Sequence, residues 1–188
     1  MTDSNQSIVH EGKIIRVINK LSPTGQHLEI AMRPPGTRII LHDTLQNKIL
    51  LNCEIRLDIG EDYRLPGGKV RDTNLEWDSI KDSPDLDKLI IEAGAKETRE
   101  ECGYNPSDLK LFCVSTSGGP TVKWDLYYLV TTNFTDLGHQ ELESDEKITT
   151  SWYPIKDVIE SCLNGKIREG RSVAVILQYL HSIGQLSL

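Results

Sequence analysis

Three glutamates on one predicted helix constrain this chain more than any other feature of its sequence. Glu97, Glu100 and Glu101 are spaced i, i+3 and i+4, so an α-helix places all three carboxylates on one face. Like charges at this spacing repel one another by roughly a few tenths of a kcal/mol per pair. Gly103 ends the predicted helix as a C′ glycine. The arrangement is explained if divalent cations bind to that face, since a helix that only needs to be soluble more often alternates glutamate with lysine.

A glycine-rich segment precedes this helix and completes a recognisable pattern. Residues 64–70 read Arg-Leu-Pro-Gly-Gly-Lys-Val, and residues 96–104 contain Glu-x-x-Glu-Glu-x-Gly. Together the two segments resemble the Nudix box, with Gly68 as its first glycine. Lys96 stands where the box has an arginine, Thr98 stands where it has an aliphatic residue, and the loop between the two halves is longer than in the family.

The order of the predicted elements fits the fold that this resemblance implies. We expect an α/β protein: a Nudix α/β/α sandwich with a mixed sheet and an N-terminal antiparallel strand extension. Hydrophobic periodicity and turn residues predict strands at 8–18, 27–33, 38–42, 48–54, 109–115, 124–132 and 148–152. They predict helices at 85–102, 154–163 and 173–182, the last of them capped by Ser172.

The chain divides into two predicted parts. Residues 1–35 form the strand extension, and residues 36–188 form the Nudix hydrolase domain with an insertion at about 71–86. Similarity to the ADP-ribose pyrophosphatase branch implies that the extension builds a homodimer and contacts substrate. The insertion is polar and is predicted to have little regular structure. Glu76 within it is the candidate for the glutamate that the box carries in its loop.

Composition excludes several classes of function. The net charge of −7, without a basic stripe, disfavours nucleic-acid binding. An acidic protein that binds an anionic substrate needs metal ions or locally placed arginines. No signal peptide and no membrane-spanning apolar run is visible, so a cytoplasmic location without membrane contact is expected. Four scattered cysteines are expected to be free thiols: Cys53, Cys102, Cys113 and Cys162.

The resemblance implies metal-dependent chemistry at the helix. Mg²⁺, with Mn²⁺ as the alternative ion, takes oxygen ligands, and those implied here are the Gly67 carbonyl, Glu97, Glu100 and Glu101. A metal-bound water would attack one phosphorus of a diphosphate, which makes Glu100 a catalytic candidate as well. The base that accepts the proton of this water comes in this branch from a late loop. We assign it to the acidic loop, residues 136–147, with Glu146 as the first candidate and Glu143 as the second.

Four further residues are candidates for binding substrate. The resemblance implies that Arg56 and Arg33 contact phosphate, since Arg56 falls where this branch carries an arginine near the substrate phosphates. Gly119 and Pro120 belong to a glycine-proline loop at residues 117–120 that this branch also carries after the box. The expected reaction is the hydrolysis of a nucleotide sugar, with ADP-ribose giving AMP and ribose 5-phosphate. Two alternatives remain open: a pyrophosphohydrolase of nucleoside triphosphates or damaged nucleotides, and a Nudix-fold sensor that binds nucleotide without cutting it.

Overall fold

The computed structural model describes residues 6–117, 119–144 and 146–186, and this part of the chain contains twelve strands and four helices. The strands are β1 (Gln6–Glu11), β2 (Arg16–Leu21), β3 (His27–Met32), β4 (Gly36–Asp43), β5 (Lys48–Arg56), β6 (Gly60–Arg64), β7 (Tyr104–Pro106), β8 (Lys110–Ser115), β9 (Val122–Lys123), β10 (Leu126–Thr131), β11 (Phe134–Asp136) and β12 (Ile148–Pro154). The helices are α1 (Asn74–Ile80), α2 (Leu86–Cys102), α3 (Ile155–Leu163) and α4 (Gly170–Ser182).

The central sheet is mixed and has helices on both faces. Its strand order is β12-β5-β4-β10-β8 with β6 beside β5, and only the β4–β10 pair is parallel. Side chains of β4 alternate between the two faces: Ile39 and Leu41 pack with α2, whereas Ile40 packs with α3 and α4. The predicted α/β/α sandwich is therefore confirmed.

Helix α2 lies within one residue of its predicted bounds, and the reason for its C-terminal end can be seen in the structure. Gly103 adopts a left-handed conformation with φ of 70°, and its N–H donates to the Arg99 carbonyl at 3.0 Å. Gly94 lies where the helix touches the sheet, because a Cβ there would overlap the side chain of Leu129. Thr98 is buried at little cost, since its hydroxyl donates to the Gly94 carbonyl at 2.8 Å.

The N-terminal extension differs from its prediction. The single strand expected at 8–18 is wrong: a tight turn at Gly12, whose N–H donates to the Ile15 carbonyl at 2.8 Å, separates β1 from β2. β1, β2 and β3 are antiparallel, and β9 from later in the chain pairs with β3 in parallel. This four-stranded sheet is therefore built from both parts of the sequence.

The insertion is also more regular than its polar composition indicated. It contains α1, which begins with a capping box in which the Thr73 hydroxyl and the Glu76 carboxylate each accept a backbone N–H of the other residue. Asp78 on this helix pairs with Arg16 of β2 at 2.6 Å, and Trp77 packs against the core beside α2. Glu76 thus has a structural role as a cap, and the insertion links the four-stranded sheet to the sandwich.

The last helix begins three residues before its predicted start. Its N-cap is Glu169, so the assignment of Ser172 as the cap is wrong. Ser172 is instead buried inside α4, where its hydroxyl contacts the Tyr128 hydroxyl at 3.1 Å and donates to Glu169 at 2.7 Å. Strand β6 had no predicted counterpart.

Two further expectations concern the cysteines and the membrane. All four cysteines are free, as expected. Among the residues that the structure describes, no helix is long and apolar enough to cross a bilayer.

Candidate active site

The glycine-rich segment, residues 64–70, packs against the N-terminal half of β4, whereas β5 pairs with the C-terminal end of that strand. The Thr37 N–H donates to the Gly68 carbonyl at 2.8 Å. Gly67 has φ of 140°, and any side chain there would collide with the backbone of Thr37. At Gly68 a Cβ would meet the carboxylate of Glu97 instead. The two glycines therefore do different things: Gly67 allows the loop to touch the sheet, and Gly68 allows a glutamate of α2 to touch the loop.

Glu101 is the most enclosed of the three helix glutamates. Only 7% of the residue is exposed, and its Oε2 accepts hydrogen bonds from the Gly67 N–H at 2.8 Å and from Asn52 Nδ2 at 2.9 Å. Asn52 lies on β5 and is itself buried. These two donors fix the Glu101 carboxylate between the central sheet and the glycine-rich segment.

Glu97 and Glu100 occupy the cleft above Glu101. The Glu97 carboxylate lies against Gly68, and none of the described residues donates a hydrogen bond to it. Glu100 pairs with Lys96, with 2.7 Å between Oε2 and Nζ. In the described ranges, no three Asp, Glu, His or Cys side chains are grouped closely enough to hold a metal ion. The three glutamates share one face as predicted, and a change of side-chain conformation, with Glu100 released from Lys96, is needed before they can share an ion.

The electrostatics of the cleft fit a hard cation. The pKa of Glu97 is raised to about 7, chiefly by burial; Lys96 opposes this shift, and the neighbouring carboxylates of Glu100, Glu146 and Glu143 add to it. Burial likewise raises the pKa of Glu101 to about 8. Crowded, desolvated carboxylates disfavour their own ionisation unless a cation joins them, and oxygen donors of this kind are the ligands that Mg²⁺ prefers. The donor set is therefore compatible with the predicted metal.

The acidic loop is anchored to the end of α2 and brings further carboxylates to the cleft. The Glu141 N–H donates to the Glu100 carbonyl at 2.9 Å, which ties the loop to the helix. Glu143 and Glu146 both line the cleft, and the Glu146 carboxylate accepts the Glu143 N–H at 3.0 Å. Asp145, also acidic, lies outside the described residues. Both candidate bases are thus brought to the same cavity as the helix glutamates.

Arginines also line this cleft, whose volume is about 700 Å³. Arg33 and Arg56, the two predicted phosphate contacts, both line it, and Arg56 Nη1 lies 3.2 Å from a carboxylate oxygen of Glu54. Arg38 is 5% exposed, with Nε at 2.9 Å from Glu169 Oε2, and its Nη1 also donates to the Gly67 carbonyl at 3.3 Å. The cleft therefore combines carboxylates with guanidinium groups.

The glycine-proline loop lies apart from this cleft. Neither Gly119 nor Pro120 lines it, and Gly118 is outside the described residues. Pro120 lines a second groove, of about 530 Å³, between the four-stranded sheet and α1. Arg33 lines both cavities. The two cavities are thus neighbours, and the structure places the loop at the second of them.

Comparison with known proteins bears on the fold. No family model matches this sequence, and no curated protein matches it. The crystal structure of an ADP compounds hydrolase matches with a TM-score of 0.64, covering 99% of this chain and 100% of that chain at 12% sequence identity. The two proteins share a fold. A likeness at such low identity extends to architecture alone, so the roles of individual residues rest on the geometry above.

Two residues that hold groups of the cleft in place, Asn52 and Glu169, have no role in the prediction from sequence. Asn52 interrupts the apolar run of β5, and a polar residue in a buried strand is a signal that could have been used. Glu169 gives no local signal, since it lies at a loop–helix junction and meets Arg38 only after folding, 131 residues apart in the chain. Both residues position a group of the cleft by hydrogen bonding.

Proposed function

We propose that the protein hydrolyses the diphosphate bond of a nucleoside diphosphate linked to a second group, and that ADP-ribose is cut to AMP and ribose 5-phosphate. The observation that carries this proposal is the meeting, in one cleft, of the helix glutamates, the acidic-loop glutamates and several arginines. Carboxylates that suit metal ions and arginines that suit phosphate oxygens are what a diphosphate requires.

Mg²⁺ would be held by the Gly67 carbonyl, Glu97, Glu100 and Glu101, with Mn²⁺ as the alternative ion. When bound, the ion neutralises phosphate charge and lowers the pKa of a bound water, so that hydroxide is available near neutral pH. The remaining steps belong to the chain itself.

Protein groups would then position the substrate and move the proton. Arg56 and Arg33 hold phosphate oxygens, and Glu146 or Glu143 accepts the proton as water attacks one phosphorus. The bond from that phosphorus to the bridging oxygen breaks, and the second phosphate leaves with that oxygen. Because the acidic loop is tied to α2 through Glu141 and Glu100, the base candidates stay near the helix glutamates.

The reaction can be tested by following products from a panel of nucleoside diphosphate sugars and nucleoside triphosphates, with Mg²⁺, with Mn²⁺ and with EDTA. We expect AMP and ribose 5-phosphate from ADP-ribose, only with metal present. Release of pyrophosphate from triphosphates without cleavage of ADP-ribose would favour the triphosphate hydrolase, and ADP-ribose binding without turnover would favour the sensor.

A matched pair of variants tests the placement of the site. Glu100→Gln removes one carboxylate charge from the cleft and is expected to lower kcat by about 100-fold or more while the protein stays folded. Glu160→Gln makes the same change at an exposed position of α3 and should leave kcat unchanged. Full activity in Glu100→Gln would place the chemistry elsewhere.

Assembly as a homodimer remains a prediction. Strand β1 is an edge of the four-stranded sheet and exposes Ile8 and Val9 by 61% and 55%, which is compatible with a partner there. Sedimentation analysis of the wild-type protein and of an Ile8→Lys variant would test it. A monomeric wild-type protein would contradict the prediction.

A further inference from the structure

Trp124 is held between two arginine side chains at the edge of the cleft. The guanidinium carbon of Arg33 lies 4.4 Å from the centre of the Trp124 ring, and that of Arg171 lies 4.5 Å from it. Arg171 Nη1 also donates to the Trp124 carbonyl at 2.7 Å. The backbone fixes the other side, since the Arg33 N–H donates to the Lys123 carbonyl at 3.2 Å. Both arginines are thus held beside the tryptophan by more than a ring contact.

Positive charge at this stack is only partly neutralised. Burial lowers the pKa of Arg33, and the guanidiniums of Arg38 and Arg171 lower it further, so three cations lie near one another. Arg38 has a carboxylate partner, Glu169, at 2.9 Å. Among the described residues, neither Arg33 nor Arg171 forms an ion pair with a carboxylate. Clustered cations without counter-charge are costly in a partly buried place, and a bound anion removes that cost.

Hydrogen-bond donors at the stack are also unused. Arg33 Nε and Trp124 Nε1 are buried, and neither has a hydrogen-bond partner among the described residues. Buried donors are nearly always satisfied in folded proteins, so two of them in one contact indicate a site that a ligand or water completes. Trp124 and Arg33 line the cleft, and Arg33 also lines the second groove.

We propose that Arg33, held in place by Trp124 and Arg171, forms an anion subsite for the second phosphate of the substrate, the one farther from the nucleoside. Arg33 is the residue that contacts the phosphate, whereas Trp124 and Arg171 are positioning residues. The proposal rests on the proposed function for the identity of its ligand, a diphosphate spanning the junction of the two cavities. It makes the stack a determinant of specificity for two linked phosphates over one.

The test compares the affinities of ADP and AMP, which differ by one phosphate, by calorimetry in Mg²⁺ and again in EDTA. Trp124→Leu and Arg171→Met are expected to reduce the preference for ADP over AMP by about 10- to 100-fold, the usual range for a charge-assisted hydrogen bond. AMP affinity should change by less than about twofold, because the lost contact concerns only the second phosphate.

Two controls separate positioning from general damage. Trp124→Phe keeps an aromatic face for the guanidiniums and should keep most of the ADP preference. Arg168→Met removes an exposed arginine three residues from Arg171, outside both cavities, and should leave the affinities for ADP and AMP unchanged. An unchanged ADP preference in Trp124→Leu and Arg171→Met, or equal losses of ADP and AMP affinity, would overturn the proposal. Because the readout is binding, it stands or falls independently of whether ADP-ribose is hydrolysed.

Discussion

Replacing Gly68 with alanine is expected to separate activity from stability. A Cβ at this position would lie 2.5 Å from Glu97 Cδ and 2.6 Å from Glu97 Oε2, whereas ordinary contacts are 3.4–4 Å. The carboxylate would therefore have to retreat by about 1 Å, and a misplacement of that size can cost about 100-fold in rate. The obstacle is the end of a flexible side chain, so the backbone can stay in place, and the free energy of unfolding should change by less than about 1 kcal/mol.

Two other glycines supply the comparison. Gly170→Ala, at the first residue of α4, meets no atom within 4 Å; it should leave activity unchanged and should not lower stability. Gly67→Ala would press a methyl group against the Thr37 backbone at a φ of 140°, so it should destabilise the fold itself. The assay is kcat for ADP-ribose with Mg²⁺, beside chemical denaturation of each variant. Full kcat in Gly68→Ala would refute the argument that Glu97 must lie against this loop, and unfolding of that variant would refute the expectation that the backbone stays in place.

Three further predictions concern the buried residues His42, Thr98 and Gly103. Burial lowers the pKa of His42, so the stability that neutral His42 contributes is present above the ordinary pKa of 6.5 and is lost as the pH falls through the pKa of the folded state. The Tm of His42→Phe should therefore fall less than the Tm of the wild-type protein between about pH 7 and about pH 5. Equal decreases in Tm would contradict this. Thr98→Val removes a hydroxyl whose hydrogen bond is to the Gly94 carbonyl, so the free energy of unfolding should change by less than about 1 kcal/mol. A larger decrease in that free energy, measured by denaturant titration, would show a further role for the hydroxyl. Gly103→Ala places a methyl group against the His139 carbonyl at a φ of 70°, which should cost about 1 kcal/mol or more and lower kcat by moving the acidic loop; a stable, fully active variant would argue against this.

The local parts of the fold could be predicted from the sequence because their causes are local. The bounds of α2 follow from apolar spacing and from Gly103, and the shared face of its glutamates follows from helix geometry alone. α1 was missed because its short polar sequence was read as irregular, although Thr73 and Glu76 carry the capping-box spacing.

The non-local parts could not be predicted in the same way. Pairing of β9 with β3 joins residues about ninety positions apart, and a two-residue strand has no periodicity of its own. Pairing of Glu100 with Lys96 depends on side-chain conformation, which spacing permits without requiring it. The helix glutamates, the loop glutamates Glu143 and Glu146 and two arginines predicted from the sequence line one cleft, whereas Gly119 and Pro120 do not. Hydrogen-bond partners, such as Asn52 for Glu101, could not be predicted.

The parallel pairing of β3 with β9 has a mechanical consequence. Each strand ends one residue before a member of the arginine stack: Arg33 follows Met32, and Trp124 follows Lys123, which is paired with Met32. If β3 moved along β9, the position of the Arg33 guanidinium over the Trp124 indole would therefore change directly. A force applied to the four-stranded sheet, by a second subunit or by tethering at its N-terminal edge, would be transmitted to Arg33 and Trp124 through two residues of backbone, without any moving loop between them.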